Sequence, residues 1–163
     1  MDTLERRDLV EATSAEAVST IMSTAVVTAK PTDKVGTALR MMVRQKIGSI
    51  IVVEKGKPVG IVTERDISIR TAKGQNVRGM VVGKIMSKPL VTIEPSVQVW
   101  EAVEQMVRKD VRRLPVIDGN KLVGMVTERD IFRWMIKVAY EPSIPDDLRR
   151  LLETRAHAHA VAG

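Results

Sequence analysis

The chain contains no cysteine, which removes disulfides, thiolate metal sites and thiol catalysis together. Its stability has to come from packing. Aromatic residues are almost as scarce, with only Trp100, Phe132, Trp134 and Tyr140 among 163 residues. That leaves little material for the stacking platforms that hold single strands of nucleic acid. No apolar run approaches the roughly 20 residues needed to cross a bilayer. The opening MDTLERRDLV mixes both charge signs and has no signal-peptide core, so the sequence predicts no membrane association and a cytoplasmic location. Amides are few (Gln45, Asn76, Gln75, Gln98, Gln105, Asn120), a bias reported for proteins of hot environments.

What is present is the composition of a globular chain, 44% apolar and 28% charged. The length allows one ordinary domain, or two small modules that share a core. A net charge of +6 favours an anionic partner, with phosphate the commonest candidate, although the cations are spread along the chain and form no block.

The strongest signal is a repeat. VGIVTERDI at Val59 to Ile67 returns as VGMVTERDI at Val123 to Ile131. Sliding the chain by 64 residues also aligns Ile21-Met22-Ser23 with Ile85-Met86-Ser87, Val27-Thr28 with Val91-Thr92, and Pro31 with Pro95, with no gap. One supersecondary unit has been duplicated.

Each copy changes hydrophobic period in the same order. An extended stretch (Ala25 to Ala29; Pro89 to Ile93) ends at a turn signal, Lys30-Pro31-Thr32 or Glu94-Pro95-Ser96. A helical period follows, with Val35, Ala38, Leu39, Met42 and Val43 predicted on one face, as are Val99, Ala102, Val103, Met106 and Val107. Ser49 to Val53 and Leu114 to Ile117 then read as strands, each turning back into a second strand at Pro58 to Val62 or Leu122 to Val126. Those hairpins run into helices starting near Glu64 and Glu128. The reading is an α/β (α+β) fold of two β-α-β-β-α repeats. The predicted boundaries are a lead-in helix over 1–17, repeat one over 18–73, a linker over 74–81, repeat two over 82–139, and an appendix over 140–163.

Thr63 and Thr127 fall where a strand hands over to a helix, so their hydroxyls and the nearby backbone N–H groups can meet a phosphate at the positive helix end. Asp66 and Asp130 lie one turn deeper, and a carboxylate can accept from both vicinal hydroxyls of a ribose. Gly60 and Gly124 would allow a ligand close to the backbone. Thr-x-x-Asp before a helix is equally a capping box, which needs no ligand.

The order of elements, the paired Ile-Met-Ser starts and the paired Gly-x-Val-Thr-Glu-Arg-Asp ends resemble a tandem pair of CBS domains, a Bateman module, over about residues 18 to 139. The resemblance implies two repeats packed with pseudo-two-fold symmetry and a cleft for an adenosine-containing ligand such as AMP, ADP, ATP or, less favoured, S-adenosylmethionine. It implies a regulatory sensor with no cofactor, no catalysis and a homodimer formed through helices. Carried over by position, one site joins Thr63, Arg65 and Asp66 to Pro89, Leu90, Arg112, Arg113, Leu114 and Pro115. The other joins Thr127, Arg129 and Asp130 to Ala25, Val26, Gly48, Ser49, Ile50 and Ile51. On that assignment Arg112 and Arg113 make the Asp66 site the tighter one for a phosphorylated adenosine. Ile51, standing where repeat two has Pro115, departs from the commoner family pattern and alters the Asp130 site.

Other features carry less. His157 and His159 have no carboxylate or cysteine beside them and read as inert, so no metal is expected. Neither a Ser/His/Asp set nor a Gly-rich Lys loop is present. Met41, Met42, Trp100, Phe132, Trp134 and Met135 exceed what one buried face per helix needs, which gives a dimer its surface. Two rival readings remain: a basic nucleic-acid-associated protein helped by Leu148-Arg149-Arg150, and a ligand-free adaptor with capped helices.

Overall fold

A computed structural model describes residues 16–140. The lead-in expected before residue 16, and the appendix with its helix from Asp146 to Arg155, Leu148-Arg149-Arg150, His157 and His159, lie outside the described residues. The chain runs through a short helix α1 (Val18–Ile21), β1 (Thr28–Ala29), α2 (Val35–Gln45), β2 (Ser49–Glu54), β3 (Lys57–Thr63) and α3 (Glu64–Ala72). Two 3-10 turns follow, Val77–Gly79 and Val82–Lys84. The remainder is α4 (Val99–Lys109), β4 (Arg113–Asp118), β5 (Lys121–Thr127) and α5 (Glu128–Tyr140). The mixed α/β class is the one expected, and none of the described helices is long and apolar enough to cross a membrane.

The helical period in the sequence becomes burial in the structure. Val35, Ala38 and Met42 are buried on α2, and Val99, Ala102 and Met106 on α4. Each of the Val and Met side chains contributes on the order of 1.5–3 kcal/mol when fully buried. The predicted face is too wide at one edge: Val43 and Val107 are 73% and 76% exposed. Both helices end on a residue in the left-handed region, Lys46 (φ 54°) and Asp110 (φ 50°). One residue on, the Ile47 and Val111 N–H groups donate back to the Met42 and Met106 carbonyls, closing the helix end.

β2 and β3 form an antiparallel hairpin with Ser49 opposite Thr63 and Glu54 opposite Lys57. Lys55 and Gly56, both at positive φ, make its two-residue turn, the geometry that matches the strands' twist. β1 adds in parallel to β2. It spans two residues, not the five expected. The matching stretch of the second repeat, expected over Pro89 to Ile93, makes a single bridge from Ile93 to Val116.

The described residues form two compact units, one of 16–25, 92–118 and 123–140, the other of 26–91 with 119–122. They differ in composition from the sequence repeats because the opening segments are exchanged. Ser87 pairs with Ile61 of β3, its N–H donating to the Ile61 carbonyl at 2.8 Å, so Ile85-Met86-Ser87 extends the 26–91 unit. Ser23 pairs likewise with Met125 of β5 at 2.9 Å in both directions. In the 26–91 unit Ala29, Val35, Met42, Ile50, Val52, Val62 and Ile85 meet in one buried cluster. In the other, Val99, Met106, Leu114, Val116 and Val126 are the buried counterparts.

Candidate functional site

Thr63 ends β3 and caps α3 with no residue between, at an extended φ of −119°. Its hydroxyl donates to Asp66 Oδ2 at 2.6 Å and accepts from the Asp66 N–H at 3.2 Å, while its own N–H donates to Oδ2 at 2.8 Å. Thr127 and Asp130 repeat the arrangement at the start of α5, at 2.6, 3.3 and 2.9 Å. The capping box is formed in both copies, and in each it consumes Oδ2 and fixes the carboxylate. Both aspartates are half-buried, and Oδ1 is the atom left to face something else.

The two copies differ at that atom. Asp66 Oδ1 accepts from the Ser87 hydroxyl at 3.1 Å. Asp130 Oδ1 lies 3.9 Å from Arg133 Nη1, with both side chains 18% exposed. Among the described residues Ser23, the counterpart of Ser87, makes no side-chain bond to Asp130. Neither Ser87 nor Arg133 stood among the expected site residues. Ser87 belonged to the repeated Ile-Met-Ser string, and Arg133 sits at the i+3 position from Asp130, so both left a trace in the sequence.

Gly60 and Gly124, where a close ligand approach is expected, lie against the Ile-Met-Ser segments. A Cβ on Gly60 would stand 2.7 Å from Met86 Sδ and 3.0 Å from the Ser87 carbonyl oxygen. One on Gly124 would stand 2.5 Å from Met22 Sδ and 3.1 Å from the Ser23 oxygen. The glycines make room for the Ile-Met-Ser segments.

Within each unit, the start of the hairpin lies beside that unit's own cap. The Glu64 N–H donates to the Gly48 carbonyl at 3.1 Å and Ser49 pairs with Thr63, so Gly48 and Ser49 lie beside the Asp66 cap. The Glu128 N–H donates to the Arg112 carbonyl at 3.0 Å, which puts Arg112 and Arg113 beside the Asp130 cap. The reason is elementary: an antiparallel hairpin sets the start of its first strand against the end of its second. Ile50, Ile51, Leu114 and Pro115 are buried, whereas Arg65, Arg112 and Arg129 are exposed. Pro89, joined to Lys88 by a cis peptide bond, and Leu90 follow Ser87 in the unit of Asp66. Ala25 falls in the unit of Asp130 and Val26 in the other. Among the described residues no group of three or more His, Cys, Asp or Glu side chains could hold a metal ion.

Comparison with known proteins follows the same division. The family model of the CBS domain matches residues 18–70 and again 82–137. An uncharacterized protein of Methanopyrus kandleri is 42% identical over 111 residues, covering 66% of this chain and 57% of that protein, so the chain spans little more than half of that relative. Among solved structures, the CBS domain pair of protein MJ0100, in complex with 5′-methylthioadenosine and S-adenosyl-L-methionine, is 26% identical with a TM-score of 0.69, covering 74% of this chain and 96% of that one. CBSX2 in complex with AMP is 25% identical with a TM-score of 0.67, covering 75% and 97%. With two matched segments that together take in more than half of its length, each ending in a formed Thr-x-x-Asp cap, the chain belongs to the CBS-domain family.

Proposed function

We propose that this protein is a cytoplasmic, non-catalytic regulatory module that binds adenosine-containing ligands at its two strand-to-helix junctions and shifts the conformers seen by a protein partner. The observation that carries the reading is the fixed carboxylate. In each junction the cap holds Oδ2, so Asp66 and Asp130 present Oδ1 in one geometry, and a pre-positioned acceptor costs little ordering when a ribose hydroxyl arrives. The relatives with AMP, S-adenosyl-L-methionine or 5′-methylthioadenosine bound support the ligand class.

The surroundings assign the charge. Arg112, Arg113 and Arg133 gather with Asp130 in one unit, where the 26–91 unit has Gly48, Ser49 and Ile69 at the corresponding positions. The phosphorylated ligand therefore belongs at Asp130, and Asp66 takes a less charged adenosine. This reverses the order expected from carrying the hairpin residues across by sequence position. The exposed Val43, Trp100, Val107, Phe132 and Met135 give the protein a homodimer surface.

Calorimetric titration of AMP, ATP and 5′-methylthioadenosine into the wild type, Asp66→Ala, Asp130→Ala and Arg112→Ala/Arg113→Ala tests both parts. AMP and ATP affinity is expected to fall at least about tenfold in the Asp130 and arginine variants and to stay within about threefold in Asp66→Ala, a gap of at least roughly 0.7 kcal/mol between the classes. Wild-type protein that takes up none of the three ligands overturns the reading.

A further inference from the structure

In each unit a short segment is strapped by its backbone to the turn that starts the first long helix, and the strap is written twice. In the unit of Asp130 the Val18 and Ser19 N–H groups donate to the Val97 and Pro95 carbonyls at 2.7 and 3.0 Å, and the Val99 N–H donates to the Glu16 carbonyl at 2.8 Å. In the 26–91 unit the matching bonds run from Val82 and Gly83 to Asp33 and Pro31, both at 2.8 Å, and from Val35 to Met80 at 2.9 Å. The bridges Ala17–Gln98 and Lys34–Val81 correspond as well. No side chain is needed for any of these contacts.

The unit of Asp130 adds a side-chain clasp to its strap. The Trp134 indole Nε1–H donates to Glu16 Oε2, and the Thr20 hydroxyl shares its proton between Glu16 Oε1, at 2.9 Å, and the Ala17 carbonyl, at 2.8 Å. Glu16 and Trp134 are both half-buried, and a hydrogen bond to an ionised carboxylate is stronger than a neutral one. The counterparts 64 residues away are Met80 and Arg70, and a thioether offers no comparable acceptor. The clasp therefore belongs to one copy. Trp134 follows Arg133 on α5 and lies four residues beyond Asp130, so the indole and the carboxylate share a helix face.

We propose that Glu16 and Trp134 are positioning residues for the Asp130 site: their clasp fixes the rotation of α5, and with it the placement of Asp130 and Arg133 before a phosphorylated adenosine. The inference rests on the adenosine reading of that junction and adds the residues that regulate it. The Thr127 cap holds Asp130 to the start of its own helix but does not hold the helix to the rest of the unit. Glu16 does, because its carbonyl engages the first residue of α4 while its carboxylate engages α5. Coupling of this kind is reciprocal, so a ligand that favours the positioned α5 also tightens the clasp. The segment around Glu16 thereby registers whether Asp130 is occupied.

Calorimetric titration of AMP into the wild type, Glu16→Ala, Glu16→Gln, Trp134→Phe and the double variant Glu16→Ala/Trp134→Phe tests it. Trp134→Phe keeps a ring in place and removes only the donor, so it reads the bond with little loss of packing. Each of Glu16→Ala and Trp134→Phe is expected to weaken AMP binding about five- to tenfold. The double variant should lose no more than about twofold beyond either, because both changes break one bond. Glu16→Gln retains an oxygen acceptor for the indole and should stay within about twofold of the wild type. The chain has two tryptophans, so indole ¹H–¹⁵N spectra hold two resonances, and Trp134→Phe identifies its own. Saturating AMP should shift the Trp134 resonance in the wild type and much less in Glu16→Ala. Wild-type protein that takes up no AMP overturns the adenosine reading and this inference together. AMP uptake that is indifferent to both single variants, falls additively in the double variant, or is not rescued by Glu16→Gln overturns the inference alone. A Trp134 resonance unmoved by AMP does the same.

Discussion

The two units share a backbone and disagree about charge. Position by position, the caps Thr63–Asp66 and Thr127–Asp130, the Gly60–Met86 and Gly124–Met22 contacts, and the buried Val35/Val99, Met42/Met106 and Val62/Val126 are the same device made twice. Where side chains face outward, the copies part: Ser87 against Arg133 at the carboxylate, Gly48-Ser49 against Arg112-Arg113 at the hairpin, Gly36 against Trp100 on the helix. The shared set is what the fold requires, because each member fills space or satisfies a backbone group. The divergent set lies at the caps, the hairpin starts and the helix surfaces, where the proposed difference in ligand preference would have to arise.

The comparison breaks most severely at its buried members. Ile50 and Leu114 occupy matching strand positions and both have no exposed surface. Replacing either with Ala is expected to cost about 2–5 kcal/mol in urea denaturation, from lost burial plus the cavity left behind. Costs that differ by more than about 2 kcal/mol between the two sites would show that the cores are not equivalent despite their matching register.

Much of this was legible in the sequence because the signals were local. Glu64 and Glu128 begin their helices where the repeated Thr-Glu-Arg-Asp string places them, and the α2 and α4 cores follow the 3.6 period. What escaped depended on contacts distant along the chain. Nothing in Ile85-Met86-Ser87 itself says that it pairs with Ile61, upstream, and not with the strands that follow it. The exposure of Val43 and Val107 could not be seen, since an apolar residue at the edge of a helical stripe reads the same whether a neighbour covers it or not. The position of Arg112 beside Thr127 was within reach, because a hairpin's own geometry dictates it, but family correspondence pointed the other way.

A middling effect is expected at the caps. Thr63→Ala and Thr127→Ala each remove the acceptor for the Asp N–H and the donor to Oδ2, and should lower stability by about 0.5–2 kcal/mol in equilibrium unfolding. Because the hydrogen bonds match to within about a tenth of an ångström, the two losses should agree. A cap that costs nothing to remove would mean that its helix is held by packing alone.

The smallest effect sharpens the contrast most. Ser87 donates to Asp66 Oδ1, whereas Ser23 has no corresponding bond to Asp130, whose Oδ1 faces Arg133 instead. Ser87→Ala should therefore cost about 0.5–1 kcal/mol, the ordinary net worth of a partly solvated hydrogen bond. Ser23→Ala should stay within about 0.5 kcal/mol of the wild type, because only its backbone is engaged, through Met125. Chemical denaturation of the two single variants side by side reads the difference. Equal losses would show that the carboxylates are held alike, leaving the surrounding arginines as the sole source of the ligand preference proposed for the two sites. Unequal losses in the stated order would show that the two carboxylates meet a ligand differently at Oδ1 itself, where Asp66 already accepts one bond from a serine hydroxyl.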